Sequence, residues 1–162
     1  MNTSVLTYRA LQEGDRSWLA NLLQENWGGG TMVTHAQVHS ADRLPGFVAL
    51  AADQPVGVVL YHLDGTQCEI VLLHSLRERT GIGTTLLEKV RHVAHSAGCR
   101  RIWLITTNDN TAAMRYYQKR GFHLVAVYQD ALKASRVLKP TIPLIRIDGI
   151  PLRDEIELEI DL

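Results

Sequence analysis

The sequence predicts a mixed α/β domain: a twisted, mostly antiparallel sheet of about six or seven strands, flanked by about four helices. Three observations carry this reading. Apolar runs in the first half are joined by hairpin-type turns, which makes neighbouring strands antiparallel. Two segments with helical spacing follow, each trailed by an apolar strand. The chain then ends in a strict alternation of acidic and apolar residues, which reads as another strand.

Each element has its own local reason. Val5 to Arg9 alternates weakly and predicts a first strand. Asp15 is expected to cap a helix carrying Trp18, Leu19, Leu22 and Leu23 on one face. Gly28, Gly29 and Gly30 end that helix, because three glycines continue it only at high entropic cost. Thr31 to Ser40 fits either a short strand or a loop. Phe47 to Ala52, a turn at Asp53-Gln54-Pro55, Val56 to Leu63, the hairpin signal Asp64-Gly65, and Gln67 to His74 predict three consecutive antiparallel strands.

Periodicity then changes. Ile82, Leu86, Leu87, Val90, Val93, Ala94 and Ala97 share a helix face, and Gly98 suits a left-handed C-terminal cap. Arg101 to Thr106 is a buried-looking strand. Asn110 caps a helix over Thr111 to Arg120; Lys119 and Arg120 fall in its last turn, where the dipole favours cations, and Gly121 closes it. Phe122 to Tyr128 is a strand and Ala131 to Leu138 a short helix. Pro140, Pro143, Gly149 and Pro151 break up the path to Glu155–Leu162, the closing strand, expected to bury one face. The last two strands are thus about 24 residues apart, a length typical of functional or mobile connections.

The 162 residues form one domain, 1–162. Lys plus Arg number 17 and Asp plus Glu 17, so there is no basic footprint for nucleic acid, and an anionic ligand needs a local device. Cys68 and Cys99 give neither a CxxC spacing nor a disulfide framework. No apolar run reaches membrane-spanning length, and Met1 to Trp18 does not read as a signal peptide. The expected location is cytoplasmic, with neither nucleic acid nor membrane as partner.

The local device is Glu78-Arg79-Thr80-Gly81-Ile82-Gly83-Thr84, between an apolar strand and a strong helix. Glycines let the backbone approach a ligand, and the first helical turn offers unpaired N–H groups, a site for phosphate or pyrophosphate. A Walker loop is excluded because Thr84, not Lys, follows Gly83. A dinucleotide fingerprint lacks its third glycine at Leu86, and Arg100 and Arg101 stand where its acid belongs. Those arginines would suit an NADP 2′-phosphate, but hairpin-linked strands disfavour that fold. A ligand-free strand-to-helix turn is the plain alternative.

A second motif decides among these: Asn110-Thr111-Ala112-Ala113-Met114-Arg115-Tyr116-Tyr117-Gln118-Lys119-Arg120-Gly121-Phe122. With the glycine turn it resembles the GNAT N-acetyltransferase superfamily, whose Q/R-x-x-G-x-G/A loop holds the acyl-CoA pyrophosphate and whose N-x-x-A-x-x-Y/F-Y-x-x-x-G-F helix flanks the pantetheine. Gly81 and Gly83 match the first motif. Asn110, Ala113, Tyr116, Tyr117, Gly121 and Phe122 match the second. Glu78 departs from the usual Gln or Arg, and Arg79 from a frequent glycine.

The resemblance implies direct acetyl transfer from acetyl-CoA to an amine of a small molecule or peptide, with no metal. It implies cofactor contacts at Leu73, His74, Ser75, Arg79, Thr80, Gly81, Ile82, Gly83, Thr84, Asn110, Ala113, Tyr117 and Lys119. Tyr117 is the candidate acid for the leaving thiolate, with Tyr116 a packing residue. Glu69, in the apolar run Cys68–Leu73, is the candidate base, alone or through water. His74 is either a relay or a packed strand histidine. His92 and His95, at i and i+3, lack a third metal ligand. Trp27, Thr31–Ser40 and Ala131–Pro151 are the expected acceptor walls, with Asp130, Asp148, Asp154 and Glu155 as local acids. A non-catalytic acyl-CoA-binding module on the same fold is the alternative function. A homodimer through a sheet edge is compatible with the resemblance.

Overall fold

A computed structural model describes residues 5–162. The N-terminal reading therefore falls partly on residues 1–4, outside the described part. The elements run β1 (Leu6–Ala10), α1 (Arg16–Trp27), β2 (Thr31–Thr34), β3 (Gln37–Ser40), β4 (Gly46–Ala51), β5 (Gln54–Asp64), β6 (Gln67–Ser75), α2 (Ile82–Ser96), β7 (Arg101–Thr107), α3 (Thr111–Gln118), β8 (His123–Tyr128), α4 (Ala131–Leu138) and β9 (Glu155–Asp161). Seven strands form one sheet in the order β1-β4-β5-β6-β7-β9-β8, and β2-β3 form a separate hairpin. All pairings in the large sheet are antiparallel except β6 with β7. The predicted architecture is the observed one.

Each face of the sheet has its own apolar cluster. On one, α2 sets Ile82, Leu86, Leu87 and Val90 against Val59, Ile70, Ile102 and Leu104. On the other, α1 sets Leu19, Leu22 and Leu23 against Val58, Leu60 and Leu72. Burying each such side chain stabilises the fold by roughly 1.5–3 kcal/mol. Cys68 and Cys99 are free and buried.

Four sequence expectations need correction. Asp15 does not cap α1 with its side chain. Its carboxylate accepts from the Gln12 amide at 2.7 Å and from Arg9 at 2.6 and 2.9 Å, which holds it below the usual carboxylate range. The β4–β5 turn falls at Ala52-Asp53, both with positive φ, leaving Pro55 inside β5 opposite Leu50. Thr31–Ser40 is a complete hairpin. Finally, β9 is buried on both faces along Glu155–Leu158, because it lies between β7 and β8 and its acids find polar partners. Glu157, for example, accepts from Arg101 at 2.9 Å and from the Tyr128 hydroxyl at 2.6 Å.

Two irregularities create the site. Leu60 pairs with Leu72 but Tyr61 pairs with Ile70, so Val71 is an extra residue in β6. That bulge sends Ile70 and Leu72 to opposite faces, where alternation alone would have put them on one. Just before it, pairing of β6 with β7 stops after Glu69 opposite Trp103. β7 continues alongside β9 as far as Thr107 opposite Glu155, while β6 continues with β5 alone. The sheet therefore opens into a wedge.

Candidate active site

The wedge is a cleft of about 480 Å³. Ile70–Leu73 of β6 form one wall and Leu104–Thr107 of β7 the other, and Asn110, Ala113 and Tyr117 of α3 line it as well. The far end is built by Trp27, the β2 hairpin, α4 and the segment after it. Of the cofactor contacts named from the sequence, Leu73, Asn110, Ala113 and Tyr117 line this cleft, while His74, Ser75, Arg79–Thr84 and Lys119 lie outside its lining; of the acceptor-side residues, Trp27 and Glu155 line it.

The glycine turn is shaped as its sequence suggests. Gly81 is the N-cap of α2 at φ 77°, and no side chain caps the helix. The first cap bond runs from Thr85 N–H to Gly81 C=O, so the N–H groups of Ile82, Gly83 and Thr84 have no acceptor four residues back within the helix. They form a positive, backbone-built surface suited to an anion. Arg79 lies at φ 57°, a left-handed conformation costing an ordinary side chain roughly 1–2 kcal/mol; glycine would adopt it freely. A Cβ on Gly83 would stand 2.7 Å from the Tyr116 hydroxyl, so packing against α3 demands glycine there.

Several predicted contact residues have structural work as well. The side chain of Ile82 is core, leaving its backbone for a ligand. The hydroxyls of Ser75 and Thr80 both donate to the Arg77 carbonyl, at 2.8 and 2.9 Å, and so hold the loop. Thr84 Oγ1 accepts from Arg120 Nε and Nη2 at 3.1 and 2.9 Å. Arg120 also stacks on Tyr116 with its guanidinium 3.5 Å from the ring centre, clamping α3 to the start of α2. The sequence reading gave Arg120 only a helix-dipole role. Glu78 and Lys119 are exposed.

Asn110 caps α3, its Oδ1 accepting from Ala113 N–H at 3.1 Å, and lines the cleft as well. Tyr117 is buried against Tyr116 and Phe122, and burial raises its phenol well above the ordinary range. It therefore keeps its proton at neutral pH, as a general acid must. His74 packs edge-on to Trp27 at 5.3 Å, and burial lowers its pKa, so it is a neutral, packed histidine.

The carboxylates are arranged around the β2–β3 turn. Glu69 is 2% exposed. Its Oε1 accepts from Thr34 Oγ1 at 2.5 Å, and its Oε2 lies 3.1 Å from His39 Nε2 without the alignment of a hydrogen bond. Thr34 lines the cleft; Glu69 itself faces a second, polar pocket of about 400 Å³ beyond. Glu155, in contrast, lines the cleft directly. It accepts from the His35 amide at 3.2 Å and the Ser135 hydroxyl at 3.3 Å, and burial raises its pKa. Adjacent residues of one turn thus hold both carboxylates. His35 and Ala36, the two residues of that hairpin turn, adopt φ of 46° and 60°, as a primed turn requires.

The long connection after α4 is pinned along its length. Asp109, fully buried, accepts from Arg146 at 3.2 Å and from Thr107 Oγ1 at 2.5 Å. Arg136 donates to the carbonyls of Ile142, Pro143 and Leu152. Lys139 Nζ donates to the carbonyls of Trp27 and Thr31 at 2.5 and 2.7 Å. Sequence reasoning missed this set, since the bonds that pin the connection to the rest of the domain, Arg146 to Asp109 and Lys139 to Trp27 and Thr31, join residues far apart in the chain. Among the described residues no three His, Cys, Asp or Glu side chains gather as a metal site.

Comparison with known proteins agrees with this architecture. The family model described as "Acetyltransferase (GNAT) family" matches residues 11–122. The chain belongs to the GNAT acetyltransferase family. It is 42% identical over 139 residues to the uncharacterized protein YdhI of Bacillus subtilis (85% of this chain, 87% of that one). Its fold is similar to that of a Bacillus cereus IAA acetyltransferase (TM-score 0.70, 20% identity, 98% and 100% of the two chains). It is also similar to a Bacillus subtilis acetyltransferase in complex with CoA (TM-score 0.69, 22% identity, 98% and 99%). The fold that carries the wedge is therefore a GNAT domain.

Proposed function

We propose that this GNAT protein transfers an acetyl group from acetyl-CoA to a primary amine by direct attack in a ternary complex. The supporting observation is the wedge itself, a slot between β6 and β7 with a protonated phenol on α3, together with the uncapped amides of α2, the element that follows β6. The pyrophosphate rests on the amides of Ile82–Thr84, helped by Arg79, and the pantetheine runs between the strands beside Asn110 and Ala113.

In this reading an alkylammonium loses one proton to Glu69, through the Thr34 hydroxyl or a water. The neutral nitrogen attacks the thioester carbonyl, forming the C–N bond. The C–S bond then breaks, Tyr117 supplies a proton to the thiolate, and the second N–H proton returns to the phenolate. The sum is ammonium plus thioester giving amide, thiol and one proton. Two free, buried cysteines are in keeping with a cytoplasmic location.

The test is calorimetric binding of acetyl-CoA followed by thiol release on an amine panel, for wild type and Glu69→Gln. Wild-type release, with kcat reduced about 100-fold or more at neutral pH in the variant, is the expected result. Binding without release on any amine would identify a non-catalytic acyl-CoA module instead.

A further inference from the structure

We infer that the acceptor is a small apolar primary amine carrying no carboxylate, and that Glu155 receives its ammonium group. This rests on the acetyl-transfer reading and names the substrate class of that site.

The charges at the acceptor end carry the inference. Four ionisable acid or base side chains line the cleft: Glu25, Lys139, Arg146 and Glu155. Both cations already hold parts of the chain together. Lys139 spends two of its N–H donors on the Trp27 and Thr31 carbonyls, and burial lowers its pKa. Arg146 serves Asp109, which is fully buried; drawing Arg146 toward a substrate anion would strip that carboxylate of its only salt-bridge partner among the described residues. What they leave for an acceptor carboxylate is a remainder: one N–H of Lys139 and the Nη1 of Arg146.

Glu155 is the opposite case. Its carboxylate lines the cleft with its side chain 3% exposed, yet no Lys or Arg of the described residues pairs with it. Its two hydrogen bonds are long, 3.2 and 3.3 Å, and the His35 ring stands 3.9 Å away. A buried carboxylate with two weak donors and no cation is a poor resting arrangement and a good receptor for an ammonium. Much of the remaining wall is apolar, with Trp27, Met32, Leu132, Ile142, Pro143 and Leu152. These residues fit a hydrocarbon or aromatic body.

Glu155 is thus a docking group, whereas Glu69 behind Thr34 takes the proton. Docking fixes the amine nitrogen beside Thr34, because the Thr34 hydroxyl and the His35 amide belong to one turn. The two glutamates should then separate kinetically, with Glu155 acting mainly on KM for the amine and Glu69 on kcat.

The experiment compares 2-phenylethylamine with phenylalanine as acceptors, by thiol release, in wild type and Glu155→Gln. The wild type should prefer the amine by about 100-fold in kcat/KM, since the amino acid adds a carboxylate beside Glu155, with which no Lys or Arg of the described residues pairs. Glu155→Gln should raise KM for the amine about 10-fold or more, with acetyl-CoA affinity unchanged. Equal use of the amino acid, or release from carboxylate-bearing amines alone, overturns the inference while the acetyl-transfer reading stands. So does an unchanged KM in a folded Glu155→Gln. Acetyl-CoA binding with no release from any amine overturns the underlying reading. Should Glu155→Gln fail to fold, the wild-type comparison of the two acceptors decides.

Discussion

In the proposed cofactor site the groups offered to a ligand are backbone amides from one short stretch. In the proposed acceptor site they are side chains gathered from β2, β7, α4, β9 and the connection between the last two. The first arrangement needs a turn of the right shape and residues small enough for close approach. The second needs the whole sheet assembled, since Thr34, Asp109, Ser135, Arg146 and Glu155 meet only through strand order. A neutral chain can hold a highly anionic substrate by the first method, and can select its acceptor by the second.

The largest expected effect tests the chemistry between the two ends. Tyr117→Phe keeps the ring packed against Tyr116 and Phe122 but removes the proton; kcat should fall about 100- to 1,000-fold, with acetyl-CoA affinity within about twofold. Turnover equal to wild type would take Tyr117 out of the mechanism.

Next in size is a change confined to the acceptor end. Arg146→Met leaves Asp109 buried without its cation, and about 3 kcal/mol of stability should be lost in urea unfolding. Acetyl-CoA affinity should stay near wild type; a parallel loss of affinity would mean that the two ends are not separable.

The matching change at the cofactor end is Gly83→Val. Its added carbons meet the Tyr116 hydroxyl and force α3 away from α2, so acetyl-CoA should bind about 10- to 100-fold more weakly. Calorimetry showing unchanged affinity would remove this glycine from the anion site.

The smallest effect is a pH dependence. Burial raises the pKa of Glu155, so the folded state binds more protons than the unfolded one between the unfolded and folded values. Stability contributed by this group is therefore greatest below the unfolded value and declines as pH rises toward the folded one. Glu155→Gln should accordingly raise Tm at neutral pH and have little effect at the acid end. A Tm gap between variant and wild type that does not widen with pH would show that the carboxylate is not paying for its burial.

These differences follow how much of the protein was legible in its sequence. The hairpin strands, α2, α3 and its Asn110 cap were readable because each depends on residues within a few positions of one another. The glycine turn was readable for the same reason. Thr31–Ser40 was not, since its primed turn is made by His35 and Ala36, which lack the Asn-Gly signal and are held at positive φ while the turn contacts β6 and β9. Glu155 looked like one acid in an alternating, half-exposed strand. Its burial became visible only when β9 was placed between β7 and β8.

The amino-acid sequence alone determined the order of the main strands and helices, the glycine turn and the family motifs on α3, because hydrogen bonds within a turn or helix and apolar periodicity are local. Tertiary structure decided where the sheet opens, which glutamate faces the cleft and which cations already hold parts of the chain together. Those depend on a one-residue bulge and on strand neighbours far apart in the chain, and no local pattern encodes either.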